Sequence, residues 1–218
     1  MKAEIKSSNT QIIEQTEYTR SRYNQFASMY DYVDIIGEHF FAPWRKEIWQ
    51  RLKGLDVLEI GVGTGQNLKY YPEGKNYTAI DLSEKMLEKA EKYASLNKIP
   101  VKLLQADIHS LPFEDNSFDT VIGTLVFCGV ADYLHGLKEV QRVLKPSGQL
   151  LLFEHVLSHK KELKLLMNFL NPIFLKLIGE SIDHKTDEKV KEAGFENIVI
   201  NNLWLDIFKL IEAYSPKT

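Results

Sequence analysis

Residues 55–72 read LDVLEIGVGTGQNLKYYP, a short apolar run followed by glycines at 61, 63 and 65 and then a polar segment ending in proline. A run of this kind that ends in clustered glycines predicts a buried strand and a tight turn. Glycine is required where a backbone turns sharply and lets a ligand touch it, and a helix opening there, expected to reach about Tyr71, supplies unpaired N–H donors. The spacing departs from the dinucleotide fingerprint GxGxxG, because the third glycine counted from Gly61 and Gly63 falls at Gln66. The pattern is instead ExGxGxG, running from Glu59 to Gly65.

Outward from this turn, short apolar runs alternate with amphipathic segments. YTAIDL (77–82) predicts a second strand, after which Ser83 caps the helix SEKMLEKAEKYASLN. VKLLQAD (101–107) and SFDTVIGTLVF (117–127) predict the third and fourth strands, the helix GLKEVQRVLKPSG stops at Pro146 and Gly148, and QLLLFEHV (149–156) predicts the fifth strand. An apolar helix over about 162–178 follows, then the loop GESIDH, a helix from Thr186 to Ala193, and the terminal segments ENIVINNL and DIFKLIEAY. Continuously apolar strands alternating with helices predict an α/β fold whose parallel sheet is covered on both faces. Upstream, residues 1–18 are polar and predict a frayed or loosely docked helix, and residues 19–53 predict one or two helices broken near Gly37 and Pro43. The expected organisation is a helical extension over 1–53 and one α/β domain over 54–218.

Composition narrows the function classes. With 218 residues, 44% of them hydrophobic, the chain has room for one large domain. The single cysteine, Cys128, excludes an intramolecular disulfide framework and a multi-cysteine zinc site. A net charge of -3, no basic stripe and no NPPY-type motif after the fourth strand argue against a nucleic-acid substrate. The polar N-terminus lacks the apolar core of a signal peptide. The apolar run from Leu163 to Ile178 is interrupted by Asn168, Asn171, Pro172 and Lys176, short of the ~18–20 residues that span a bilayer. A cytoplasmic location is expected. Eleven of the 16 residues in that run are apolar, and Lys160, Lys161 and Lys164 lie at its start, a pattern that suits peripheral membrane contact through 160–178 or packing against the N-terminal extension.

Two acids share the glycine turn's edge of the sheet. Asp81 ends the second strand 20 residues after Gly61, where a carboxylate can accept both hydroxyls of a ribose. Asp107 ends the third strand, placed to receive an adenine amino group, with Ile108 packing on the ring.

These segments together resemble the class I S-adenosylmethionine-dependent methyltransferases of the methyltransferase type 11 kind. LEIGVGTGQNLKYYP, AIDLSEKMLEKA, LLQADIHSLPFEDNSFDTVIGTLVFCGVAD and LKEVQRVLKPSGQLLLFEHV carry the likeness, which covers roughly residues 19–215. The resemblance implies a Rossmann-like sheet of seven mostly parallel strands with the last antiparallel, and S-adenosylmethionine as cofactor. It implies that Gly61, Gly63 and Gly65 lie under the methionine moiety, that Glu59 orients that end and that Thr124 lines it. Asp81 would hold the ribose, Leu82 and Met86 would pack near the adenosine, and Asp107 and Ile108 would hold adenine. Ser147 departs from the family, which usually has glycine there. RYNQFASMYD resembles the segment that closes over the cofactor in quinone and phospholipid methyltransferases, which makes Tyr23 and Tyr30 the lid residues; an aromatic stripe of this kind also suits plain core.

Methyl transfer needs alignment and exclusion of water, and a general base only where the acceptor carries a proton. His155, at the end of the fifth strand, is the expected base; a histidine there also suits hydrogen bonding into the strand-end loop. His109 and Cys128 are expected to be structural and His135 to lie on the surface. The expected acceptor is small or lipid-like and hydrophobic: a phospholipid amine, a quinol or a thiol. FEHV, the LNP segment and LWLDIFKLIEA look like thiol-methylating and phospholipid N-methyltransferases, with the quinone enzymes further off. The GESIDH loop lacks the cysteine of the thiol group and offers Asp183 and His184 instead. Two alternatives are a nucleotide-binding oxidoreductase, disfavoured by the absent GxGxxG, and a catalytically silent cofactor-binding module.

Overall fold

The computed structural model describes residues 2–156 and 186–217, together with 158, 160, 165 and 167; in its N-terminal helix the side chains of 10–25, 27 and 40 onward are described. The apolar segment of 162–178, the GESIDH loop and the expected membrane contact through 160–178 fall largely or wholly outside these residues, as does the Tyr30 side chain.

Seven strands form one sheet: β1 (Asp56–Ile60), β2 (Asn76–Asp81), β3 (Lys102–Gln105), β4 (Phe118–Thr124), β5 (Leu144–His155), β6 (Glu196–Asn202) and β7 (Phe208–Tyr214). Their order is β3-β2-β1-β4-β5-β7-β6. Strands β1 to β5 pair in parallel, and β7 runs antiparallel to both β5 and β6. The expected topology is what forms. The central strands are largely apolar because neither face meets water: β1 is buried from Val57 to Ile60, the acid Glu59 included.

Alternation along the strands sorts the core into two sides. Helices α3 (Tyr133–Val143) and α4 (Thr186–Glu192) cover one face, where Leu137, Val140, Val143 and Val190 meet Leu58, Val121, Leu150 and Leu152. On the other face, the end of α1 (Lys2–Trp49) sets Ile48 and Trp49 against Val57, Ile122, Leu151 and Phe153. There α2 (Glu84–Asn97) lays Ala90 and Ala94 on Ala79. Ser83 caps α2 as expected, its Oγ accepting the Met86 N–H at 3.2 Å.

Three local expectations are corrected. The N-terminal region is a single helix that continues through Gly37 and Pro43. An interior proline costs about 3 kcal/mol, and the burial of Ile48 and Trp49 soon after it opposes that cost. No α-helix follows the glycine turn; hydrogen-bonded turns lead instead to a 3-10 turn at Leu68–Tyr70. Pro72 disfavours helical backbone at Tyr71, which is extended at φ −61, ψ 115. Finally, α3 ends at Val143 and β5 begins directly, with a register shift against β4 between Phe118 and Thr120. In that shifted stretch Ser147 has φ +59, the left-handed region that favours glycine. Among the described residues, no helix is long and apolar enough to cross a membrane.

Candidate active site

The carboxyl ends of β1, β2 and β4 form one edge, and the glycine turn lies on it. Gly61, Gly63 and Gly65 all have positive φ. A Cβ on Gly65 would come within 2.8 Å of Leu68 Cδ1 and 3.2 Å of the Ala90 backbone, so this glycine lets α2 approach the turn. A Cβ on Gly63 would meet nothing within 4 Å. Backbone at Gly63 therefore faces open space, as a turn lying beneath a bound molecule requires, and the expected cofactor fits here.

Asp81 ties this turn to β2. Its Oδ2 accepts the Gly63 N–H at 2.8 Å and its Oδ1 the Ser83 N–H at 2.8 Å. Burial raises the pKa of this carboxyl, and the backbone bonds from Ser83, Gly63 and Leu82 oppose the rise. Three backbone donors leave the carboxylate one further acceptor direction, which gives it capacity for a hydroxyl donor besides its structural bonds. Leu82 is half-buried beside it, and Met86 is buried in the first turn of α2.

Asp107 lies one strand further out, beside His109. Its Oδ1 accepts both the His109 N–H at 2.9 Å and the ring Nδ1–H at 2.7 Å. Burial alone would raise the Asp107 carboxyl, but the His109 bonds outweigh it and hold the pKa below its ordinary value. Ile108 joins the core beneath α3. His135 is exposed, with its ring 5.6 Å from that of His109.

Behind the turn lies a buried polar cluster that joins α1 to the sheet. Glu59 is fully buried, and Asn67 Nδ2 and the Tyr71 hydroxyl both donate to its carboxyl. Burial pushes its pKa up to about 7 against the pull of Asn67, Tyr71 and the nearby Arg45 charge. Arg45 Nη1 donates to Asn67 Oδ1 at 2.6 Å and to Thr124 Oγ1 at 3.2 Å. Thr124 Oγ1 also accepts from Asn67 Nδ2 at 2.8 Å.

The first helix also crosses this edge at an earlier stretch, near its residue 24. Asn24 Oδ1 accepts the Ser83 hydroxyl at 2.6 Å and the Lys85 N–H at 3.2 Å, at the start of α2. One position earlier, the Tyr23 hydroxyl lies 3.0 Å from where a Gly129 Cβ would stand, in the loop after β4. That loop is held from below by Glu154, which accepts the N–H groups of Val126 at 3.0 Å and Phe127 at 3.3 Å. Cys128 donates its thiol to the Leu125 carbonyl at 3.3 Å.

His155 ends β5 opposite Phe208 of β7, and strand alternation puts it on the same sheet face as Phe153. An aromatic wall occupies that face. Phe41 lies 5.2 Å from Phe208, Trp44 5.7 Å from Phe153, and Phe40 5.4 Å from Trp204, ring centre to ring centre. Phe40 and Trp204 are 42% and 51% exposed, so the wall opens to solvent at its rim.

The expected residues thus fall into groups: the glycine turn with Asp81, Asp107 with His109, and Glu59 with Thr124. Asn24, Arg45, Asn67, Tyr71 and Glu154 were not singled out from the sequence. Asn67 and Tyr71 sit within the quoted turn segment, so their closeness to Glu59 was the available signal. Asn24 likewise sits within the quoted RYNQFASMYD segment, whereas nothing local marks Arg45.

The methyltransferase domain family matches residues 58–152. Over 224 aligned positions the chain is 37% identical to a demethylmenaquinone methyltransferase of Staphylococcus aureus, with 89% of this chain and 92% of that one covered. Among solved structures, a SAM-dependent methyltransferase from Thermotoga maritima shares the fold at TM-score 0.69 and 20% identity, over 92% of this chain and all of that one. An N-methyltransferase from Haemonchus contortus, solved with phosphomonomethylethanolamine and S-adenosylhomocysteine, does so at TM-score 0.65 and 19% identity, over 80% of this chain and 53% of that one. The relative and the family match set aside the oxidoreductase alternative and make S-adenosylmethionine the cofactor. The chain belongs to the class I S-adenosylmethionine-dependent methyltransferases.

Proposed function

We propose that this enzyme methylates a hydrophobic aromatic acceptor of the hydroquinone type, with His155 as its base. The observation that carries this reading is the aromatic wall on the His155 face of the sheet: Phe40, Phe41, Trp44, Phe153, Trp204 and Phe208. Aromatic side chains pack a flat ring edge-to-face or offset, each pair contributing about 0.5–1.5 kcal/mol beyond simple burial. The demethylmenaquinone methyltransferase relative supports the same acceptor class.

In this reading the glycine turn of Gly61, Gly63 and Gly65 supports the methionine end of the cofactor, with Glu59 orienting it and Thr124 lining it. Asp81 receives the ribose hydroxyls, Leu82 and Met86 flank the adenosine, and Asp107 and Ile108 take the adenine. Residues 1–53 act as the lid, with Tyr23 and Tyr30 over the site. Support for a lid comes from the span of α1, which meets the start of α2 through Asn24 and the loop after β4 through Tyr23.

S-adenosylmethionine supplies a methyl group on a positively charged sulfur. The protein's share is to hold the acceptor in line, keep water out and take up one proton. A hydroquinone becomes a strong carbon nucleophile as its hydroxyl proton departs; in this reading His155 receives that proton, and after methyl transfer the hydrogen on the methylated ring carbon shifts to the oxygen, which restores the aromatic ring.

The test supplies S-adenosylmethionine with, in parallel, a short-chain naphthoquinol, a phosphatidylethanolamine dispersion and an alkyl thiol. The expected result is one methyl group on the quinol ring and a matching amount of S-adenosylhomocysteine. Methylation of the thiol or the amine alone overturns the acceptor assignment.

A further inference from the structure

Three successive N–H groups in the loop after β4 are taken up by two successive residues at the end of β5. Leu125 donates to the Phe153 carbonyl at 2.7 Å, and Val126 and Phe127 both donate to Glu154 Oε1, at 3.0 and 3.3 Å. Leu125 sits at φ +56, in the left-handed region that a bulky side chain avoids. A residue stays there only where its surroundings hold it, and such strain gathers where backbone geometry serves function. Glu154 is 1% exposed, so its carboxyl has given up hydration to make this hold.

The held loop borders both sides of the site. At one end Val126 packs on the glycine turn, since a Cβ on Gly61 would come within 2.6 Å of Val126 Cγ2. At the other end Gly129 meets the Tyr23 hydroxyl of α1. Along β5 the next residue is His155, which alternation puts on the opposite sheet face, with the aromatic wall.

We propose that Glu154 is a positioning residue for methyl transfer, fixing the loop over 125–129 so that a methyl donor on the glycine turn lies in line with an acceptor on the His155 face. This rests on the placement of the cofactor's methionine end and of the acceptor proposed above. Glu154 lies on the other face of the sheet and acts through the Val126 and Phe127 backbone. Alignment is steep in distance: a misplacement of about 1 Å costs about 10²-fold in rate.

A second reason for an acid at this position lies on β7. Lys209 is 1% exposed and stands opposite Glu154 in the strand register, which puts both side chains on one face. The two roles ask different things of the side chain. Positioning needs an acceptor oxygen at the right reach, whereas balancing Lys209 needs only the negative charge. Glu154→Gln keeps the reach and drops the charge. Glu154→Asp keeps the charge and falls short by one C–C bond, about 1.5 Å, which takes it out of hydrogen-bond range of both amides.

The experiment measures kcat with S-adenosylmethionine and the naphthoquinol, and calorimetric affinity for S-adenosylhomocysteine, in wild type and both variants. Glu154→Asp is expected to lose about 10²-fold in kcat and Glu154→Gln about 3-fold, with affinity within about 2-fold of wild type in each. The reverse order, turnover kept by Glu154→Asp and lost by Glu154→Gln, overturns the assignment and leaves Glu154 as the counter-charge of Lys209. Equal rates in the two variants overturn it as well, and so does a loss of affinity as large as the loss of rate. If wild type methylates the thiol or the amine instead, the hydroquinone assignment falls alone and the variants are compared on that acceptor. Turnover of none of the three removes the proposed function and this role together.

Discussion

His109 donates its Nδ1–H to Asp107 Oδ1 over 2.7 Å and accepts the backbone N–H of Asp132 on Nε2 at 3.1 Å. An amide N–H only donates, so Nε2 is the bare nitrogen and the ring proton sits on Nδ1. The ring thereby links the end of β3 to the N-cap of α3, where Asp132 in turn accepts the His135 N–H at 3.0 Å. Both His109 bonds to Asp107 fall on Oδ1, which fixes the orientation of the carboxylate.

His109→Ala is therefore expected to loosen that orientation. Affinity for S-adenosylhomocysteine falls about 3–10-fold, the net worth of one ordinary hydrogen bond. Discrimination against the analogue with hypoxanthine in place of adenine falls with it. Titration of both ligands checks this; unchanged discrimination would make His109 a purely structural strut.

Glu59 supplies a pH dependence of stability. Its folded pKa is raised from 4.5 to about 7 by burial, so between those values the folded protein keeps a proton that the unfolded chain has released. Stability of the ligand-free protein should fall as pH rises through that interval and level off above it, by about 3 kcal/mol in all. Glu59→Gln cannot ionise, so it gains on wild type from about pH 5 to about pH 8 by up to that amount. Denaturant unfolding across the range reads the effect, and parallel curves for the two proteins would contradict it.

His155→Ala should leave S-adenosylhomocysteine affinity within about 2-fold and lower turnover on a quinol by about 10²–10⁴-fold, the usual contribution of a positioned base. Steady-state rates with a naphthoquinol give the answer. Full turnover in the variant would return His155 to a structural place at the end of β5.

Much of this was legible in the chain because the relevant physics is local. Apolar runs such as LDVLEI and QLLLFEHV reveal strands buried on both faces, and Asp81 and Asp107 are marked by their places at the ends of the runs YTAIDL and VKLLQAD. The helix expected after Gly65 failed because Pro72 and the hydrogen bonds of Asn67 and Tyr71 to Glu59 settle that segment into turns. Arg45 stayed hidden for the opposite reason. It meets Asn67 across 22 residues and Thr124 across 79, contacts that exist only once α1 docks, and Pro43 just before it read as a break. His109 was expected to be structural, but its bonds to Asp107 and Asp132 depend on how β3 and α3 meet in space.

The most direct test is calorimetric titration of wild type and Asp81→Ala with S-adenosylhomocysteine. Asp81 joins the glycine turn to the end of β2 through its bonds to Gly63 and Ser83, and the proposed ribose contact rests on it. Micromolar binding by wild type and a loss of about 10–150-fold in Asp81→Ala, or about 1.5–3 kcal/mol, is the expected result. Equal affinity in the two proteins would contradict the placement of the cofactor on this edge of the sheet.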